Sequence, residues 1–187
     1  MTTPLSTAGG MLVVPINDTD HVAGPRDAPV TLVEYGDYQC PYCGAAHPIV
    51  RELLRQRHDV LRFAYRHFPL TNVHPYAEMA AEVAEAAGAR GQFWPVHDWL
   101  FEHQDRLDPR YLLAGLAGLG LDAEAIADEV SRHRYLSKVR SDFVGGVHSG
   151  VNGTPTFFVN GFRLDGGYSI PELTFAVDEA AAGASRR

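Results

Sequence analysis

Six residues rich in β-branched and aromatic side chains, Val30-Thr31-Leu32-Val33-Glu34-Tyr35, run between Pro29 and Gly36 and lead four positions later to Cys40-Pro41-Tyr42-Cys43. A run of this kind reads as a buried strand. From Pro41 to about Arg57 the pattern turns helical, with Ala46, Ile49, Val50, Leu53 and Leu54 on one face and Arg51, Arg55 and Arg57 on the other. The cysteines are thereby confined to a strand-to-helix junction, with Cys40 at the helix amino terminus. Unpaired amides and the helix dipole favour an anion there, so Cys40 is expected to have a lowered pKa and to act as a nucleophile. Cys43 lies three positions on along the same helix, where it can attack a mixed disulfide on Cys40 and release the partner.

Downstream, Val60, Leu61, Phe63, Tyr65 and Phe68 read as a second strand closed by Pro69, which makes a β-α-β unit with a parallel pair. A helical region follows. Tyr76, Met79, Ala80, Val83 and Ala87 share one face, and Phe93, Val96, His97, Leu100 and Phe101 share another, with Gly88 and Gly91 between. Short helices are expected at Pro109 to Leu119 and Asp122 to Ser131, then a longer one on which Leu136, Val139, Phe143 and Val147 line up. Strand period returns at Thr156 to Val159. The turn Asn160-Gly161 and Phe162 to Leu164 complete a hairpin. Ser169 three residues before Glu172 opens a final helix with Leu173, Ala176, Val177 and Ala180 on its apolar face, and a Gly/Ala/Ser/Arg tail ends the chain.

At 187 residues and 45% hydrophobic, the chain suits one core rather than two independent units. A net charge of −7 argues against a phosphate-tracking surface, so no nucleic-acid partner is expected. Met1 to Pro15 lacks a basic segment, and its apolar patch, Met11 to Ile16, is too short for a signal core. No stretch is long enough to span a bilayer. A soluble, cytoplasmic protein is the expectation, with an extracytoplasmic one if a signal has been removed. Two cysteines so close together do not make a disulfide framework. The same spacing supplies half of many zinc sites, but none of the nine histidines forms a second ligand pair on a loop. A second motif, Gly153-Thr154-Pro155-Thr156, begins a strand with proline directly after a loop, a place where cis bonds are tolerated.

Taken together, Asp27-Ala28-Pro29-Val30, Glu34-Tyr35-Gly36-Asp37-Tyr38-Gln39-Cys40-Pro41-Tyr42-Cys43 and Gly153-Thr154-Pro155-Thr156-Phe157 resemble the motifs of the DsbA-like branch of the thioredoxin superfamily, in the same order. The resemblance runs from about Gly24 to the last helix. It implies an α/β thioredoxin fold, β-α-β then β-hairpin-α, with an all-helical insertion at about residues 75–150. Residues 1–29 would form an extended lead-in and 30–187 a single domain. By the same resemblance, Pro155 is the cis-proline facing the active disulfide, and Thr154 offers backbone groups to a substrate strand. Glu34 occupies the place of a buried acid beneath the disulfide, where a carboxyl with a raised pKa could shuttle the proton of Cys43. The sequence by itself equally allows Glu34 to reach solvent from a strand end.

Tyr42 stands where strongly oxidising members often carry histidine, which removes one source of thiolate stabilisation. The function implied is a dithiol-disulfide oxidoreductase acting on protein thiols or disulfides. It would use Cys40 and Cys43 with Pro41 and Tyr42 between them, need no cofactor, and be recycled by thioredoxin, glutathione or a membrane oxidase. Glutathione-dependent chemistry, glutaredoxin-like or glutathione-transferase-like, and a non-catalytic metal-binding module remain as alternatives. Phe93, Trp94, Trp99 and Phe101 read as helix packing, His47 as a partly exposed helix histidine, and Arg51, Arg55 and Arg57 as a solvated face.

Overall fold

A computed structural model describes residues 10–184; residues 1–9 of the lead-in and 185–187 of the tail lie outside the described residues. The order of elements is β1 (His21–Ala23), β2 (Val30–Gly36), α1 (Pro41–Gln56), β3 (Leu61–His67), α2 (Ala77–Gly88), α3 (Phe93–Glu102), α4 (Pro109–Gly118), α5 (Ala123–Ser131), α6 (Leu136–His148), β4 (Thr156–Val159), β5 (Phe162–Arg163) and α7 (Ile170–Ala184). The five strands form one sheet in the order β1-β3-β2-β4-β5. β2 lies parallel to β3, from Val30 opposite Leu61 to Gly36 opposite His67, and antiparallel to β4, from Leu32 opposite Val159 to Tyr35 opposite Thr156. This is the thioredoxin-like α/β fold, with the helices α2 to α6 inserted between β3 and β4.

Strand alternation divides the core. Val30 and Leu32 join Leu61, Phe63, Tyr65, Phe157 and Val159 in a cluster that α1, α3 and α7 cover. Glu34 shares their side of β2 by period. Val33 and Tyr35 face the other way, onto Ala64, Phe68 and Phe158. The hairpin between β4 and β5 turns at Asn160 and Gly161 with φ of 47° and 86°, the positive values that a two-residue turn of matching twist requires. At the start of α7, Glu172 accepts from the Ser169 amide at 3.0 Å, one half of the expected capping box.

Two features depart from the sequence reading. On α6, Val147 does not join the buried face and is 49% exposed. The buried stripe runs through Val139, Asp142, Gly145 and Gly146, because the helix backbone presses on aromatic rings there. A Cβ on Gly146 would lie 2.7 Å from Cδ2 of Phe68. The lead-in, for its part, contributes structure of its own. Met11 bridges to Phe162 at one edge of the sheet, and β1 pairs antiparallel with β3 at the other.

Between those two attachments the lead-in crosses the far face of the sheet, held by a buried ion pair. The Arg66 guanidinium donates to both carboxylate oxygens of Asp20 at 2.8 Å, and to the carbonyls of Val14 and Pro15 at 2.7 and 2.9 Å. The two side chains are 2% and 1% exposed. Burial would raise the Asp20 carboxyl, but the hydrogen bonds from Arg66 and the Asn17 amide, with the Arg66 and Lys138 charges, together outweigh it and hold the group below its ordinary range. Its contribution to stability is therefore present above the usual carboxylate range and lost as pH falls through it. Removing one partner strands the other charge in the interior, so Asp20→Asn should cost about 3 kcal/mol in urea unfolding at pH 7. A change under about 0.5 kcal/mol would show that the pair contributes no more than an exposed one.

Candidate active site

The end of β2 delivers the chain to α1 through a turn organised by Asp37. Its carboxylate accepts from the Gln39 amide at 2.7 Å and the Leu70 amide at 2.8 Å, and is bonded to His74 Nδ1 at 2.7 Å. The Asp37 amide in turn points at Cys43 Sγ, 3.5 Å away. A second brace comes from the helical insertion: Gln104 Nε2 donates to the carbonyls of Tyr38 at 2.8 Å and Cys40 at 2.9 Å. Gly44 makes this approach possible, since a Cβ there would fall on the Gln104 amide. Neither brace was singled out in the sequence. Asp37 lay inside a recognised motif without a role, and nothing in the local pattern marks Gln104.

Cys40 is the N-cap residue of α1, with Pro41 in the first turn, where its missing amide hydrogen costs nothing. Both cysteines are buried thiols. Cys40 Sγ lies 3.3 Å from the carbonyl oxygen of Thr154, and the Thr154–Pro155 peptide bond is cis. Residues 114 positions apart thus meet at one point. Tyr42, 66% exposed, flanks the dithiol at the surface.

The two sulfurs are displaced in opposite directions. Cys40 falls to a pKa of about 5: the Cys43 thiol donates to its thiolate, and the backbone amides of Cys43 and Tyr42 add to this against the cost of burial. The thiolate is therefore stabilised although no histidine stands between the cysteines. Cys43 is pushed far up by burial, by its hydrogen bond to Cys40 and by the nearby charges of Glu34 and Cys40. One sulfur is held as an anion at neutral pH while the other keeps its proton.

Glu34 is 2% exposed, on a central strand between Tyr65 and Phe157, and its Oε1 has no hydrogen-bond partner. It does not reach solvent. Burial, and secondarily the Cys40 charge, raise its pKa to about 8. Near neutral pH it is a carboxylic acid able to exchange a proton.

His47 differs from its sequence reading. It is 7% exposed, because α3 packs against α1 and lays Phe101 over the imidazole with ring centroids 5.0 Å apart. Phe93 and Phe101 are buried, and Trp94 and Trp99 pack against the same core. Arg51, Arg55 and Arg57 stay near the surface, paired with Glu102, Glu52 and Asp178.

A strand-to-helix dithiol facing a cis X–Pro bond, on a sheet with a helical insertion, defines the chain as a thioredoxin-fold protein. Residues 16–179 match the family described as Thioredoxin, and the chain belongs to that family. Among solved structures it is similar to a thioredoxin-like oxidoreductase from Silicibacter pomeroyi DSS-3. That match has 27% identity and a TM-score of 0.80 and covers 89% of this chain and 94% of the other. Wolbachia pipientis alpha-DsbA1 shares the fold with a TM-score of 0.81 at 20% identity, over 94% and 96% of the two chains. The protein named Na(+)/H(+) antiporter NhaA 1 from Salinispora arenicola is 51% identical over 177 residues, covering 94% of this chain and 27% of that protein. This chain thus spans about a quarter of the length of the curated relatives it matches. Among the described residues no helix is long and apolar enough to cross a membrane.

Two measurements check the electrostatics of the site. The rate at which iodoacetamide alkylates Cys40 should titrate with a midpoint near pH 5 and be flat from about pH 6 to 8. A midpoint near 8.5, that of a free cysteine, would mean the thiolate receives no such help. For Glu34 the sign runs the other way, because its folded pKa lies above the unfolded value of about 4.3. Folding then binds a proton at neutral pH, a cost that is absent below pH 4 and grows towards pH 8. Glu34→Met should accordingly stabilise the reduced protein in urea at pH 7, on the order of 3 kcal/mol, and by much less at pH 4. Equal effects at both pH values would contradict a raised pKa.

Proposed function

We propose that this chain is a protein dithiol-disulfide oxidoreductase, and the observation that carries the reading is the opposite displacement of its two sulfurs above a buried acid. A nucleophile must be a thiolate at working pH, and a resolving thiol must wait until it is activated. Cys40 and Cys43 divide those requirements between them.

In the reducing direction, the Cys40 thiolate attacks one sulfur of a substrate disulfide. The substrate S–S bond breaks, a Cys40–substrate disulfide forms, and one substrate thiolate leaves. Cys43 then loses its proton to an ionised Glu34 and attacks Cys40 Sγ. The second substrate thiolate departs as the Cys40–Cys43 disulfide forms, so two electrons reach the substrate and the dithiol is oxidised. The reverse sequence oxidises a substrate dithiol. Thr154 and Pro155 would hold the substrate in extended form beside Cys40, using backbone groups such as the Thr154 carbonyl, whose oxygen lies 3.3 Å from Cys40 Sγ. Pro41 and Tyr42 shape the exposed approach. Protein thiols or disulfides are the substrates in this reading, and a separate thiol-based partner restores the dithiol.

Replacing Cys43 with Ser removes the resolving step and leaves the attack intact. Cys43→Ser exposed to cell extract should accumulate disulfide-linked adducts through Cys40 that a reductant releases, and Cys40→Ser should accumulate none. If Cys43→Ser traps no protein, or Cys40→Ser traps as much, the assignment of nucleophile and resolving thiol fails.

A further inference from the structure

One helical turn beyond Cys43, a group of polar side chains lies outside the thiol chemistry. His47 of α1 and His97 and Asp98 of α3 each offer a ligand atom, and these atoms all lie within 4.8 Å of one another. We infer that His47, His97 and Asp98 form a binding site for a divalent transition-metal ion of the zinc class, completed by water from the adjoining cavity. The inference goes beyond the proposed oxidoreductase activity and does not rest on it.

Distance is the first support. His47 Nε2 and Asp98 Oδ1 are 3.4 Å apart, too long for a good hydrogen bond between imidazole and carboxylate. Two donors on a tetrahedral ion with bonds of about 2.05 Å stand about 3.3 Å apart. The pair is spaced as two ligands rather than as donor and acceptor. His47 Nε2 is buried and makes no hydrogen bond, which leaves a polar atom facing Asp98 without a hydrogen-bond partner.

The surroundings fit a ligand set. Tyr38 hydroxyl is bonded to His97 Nδ1 at 3.0 Å, an outer contact of the kind that orients a metal-binding imidazole. Of the three, His47 lines an open cavity of about 600 Å³ together with Gly44, Pro48 and Phe101. The nearby Arg51 charge is offset by Glu102, 3.0 Å from it. Two imidazoles and one carboxylate suit zinc and its first-row neighbours better than magnesium or calcium, which take oxygen ligands.

A second group, His67, Glu85 and Asp142, has similar spacing, but its two carboxylates are already paired. The Glu85 oxygens bond His67 and His21 at 2.8 and 3.0 Å, and both Asp142 oxygens bond the Lys138 ammonium at 2.6 and 2.7 Å. An ammonium already occupies the place a cation would take.

The test titrates Zn²⁺ into the protein after Cys40 and Cys43 have been alkylated, so thiolates cannot bind it. Calorimetry should show one equivalent per chain. Co²⁺ in its place should give visible ligand-field bands without sulfur-to-metal charge transfer. Asp98 is partly exposed, so Asp98→Asn should fold normally and weaken Zn²⁺ at least tenfold; His47→Gln should do the same, and Glu85→Gln should leave affinity unchanged. No Zn²⁺ binding to the alkylated protein, binding unaffected by Asp98→Asn, or binding lost in Glu85→Gln would each overturn the assignment. Because alkylated protein cannot exchange disulfides, this outcome is read separately from the trapping by Cys43→Ser.

Discussion

The pairing of Tyr35 with Thr156, where β2 ends and β4 begins, is the constraint on which the site depends. β2 runs toward the sheet end from which α1 departs, and β4, being antiparallel, starts there. The loop that carries Thr154 and Pro155 is therefore brought to the amino terminus of α1 by backbone hydrogen bonds alone. Shifting that register by one residue would turn Glu34 to the opposite face of the sheet and carry Thr154 away from Cys40. Packing on both faces forbids the shift, since Leu32 and Val33 fill separate cores.

Given that placement, the chemistry follows from how water is distributed around three groups. Cys40 meets donors: a thiol and two amides. Cys43, less than one turn further into the helix, meets apolar side chains and the negative charge of its neighbours. Glu34, deeper still, finds no donor for Oε1. The same helix and strand thus give one sulfur an anion's surroundings and the other a neutral group's, and the fold bears the expense of an acid that stays protonated when the medium is neutral.

How much of this the sequence discloses depends on the range of the interactions involved. The dithiol junction, the parallel β-α-β unit, the inserted helices and the hairpin all follow from local period and turn residues. The meeting of Cys40 with Thr154 was legible only because two distant motifs were taken jointly; neither residue signals the other. Contacts set wholly by tertiary packing stayed hidden. Arg66 sits in a strand where a charged residue reads as solvent-facing, and its burial depends on Asp20 arriving from the lead-in. His47 looked partly exposed because the α3 surface that covers it comes from about fifty residues away. Gln104 belongs to a short turn whose task is visible only once α1 lies beside it.

The crossing of the lead-in over the sheet also bears on self-association. A protein that receives other chains in extended form runs the hazard of being recruited by them, since an open row of backbone amides and carbonyls templates further strands. The outer strands here are three and two residues long, and the two-residue one is partly covered by Met11. Rows so short offer little register to a foreign strand. Under the proposed function, extended partners would be steered toward the loop beside Cys40, where pairing is local and ends with disulfide exchange, and away from edges where it could propagate into aggregates.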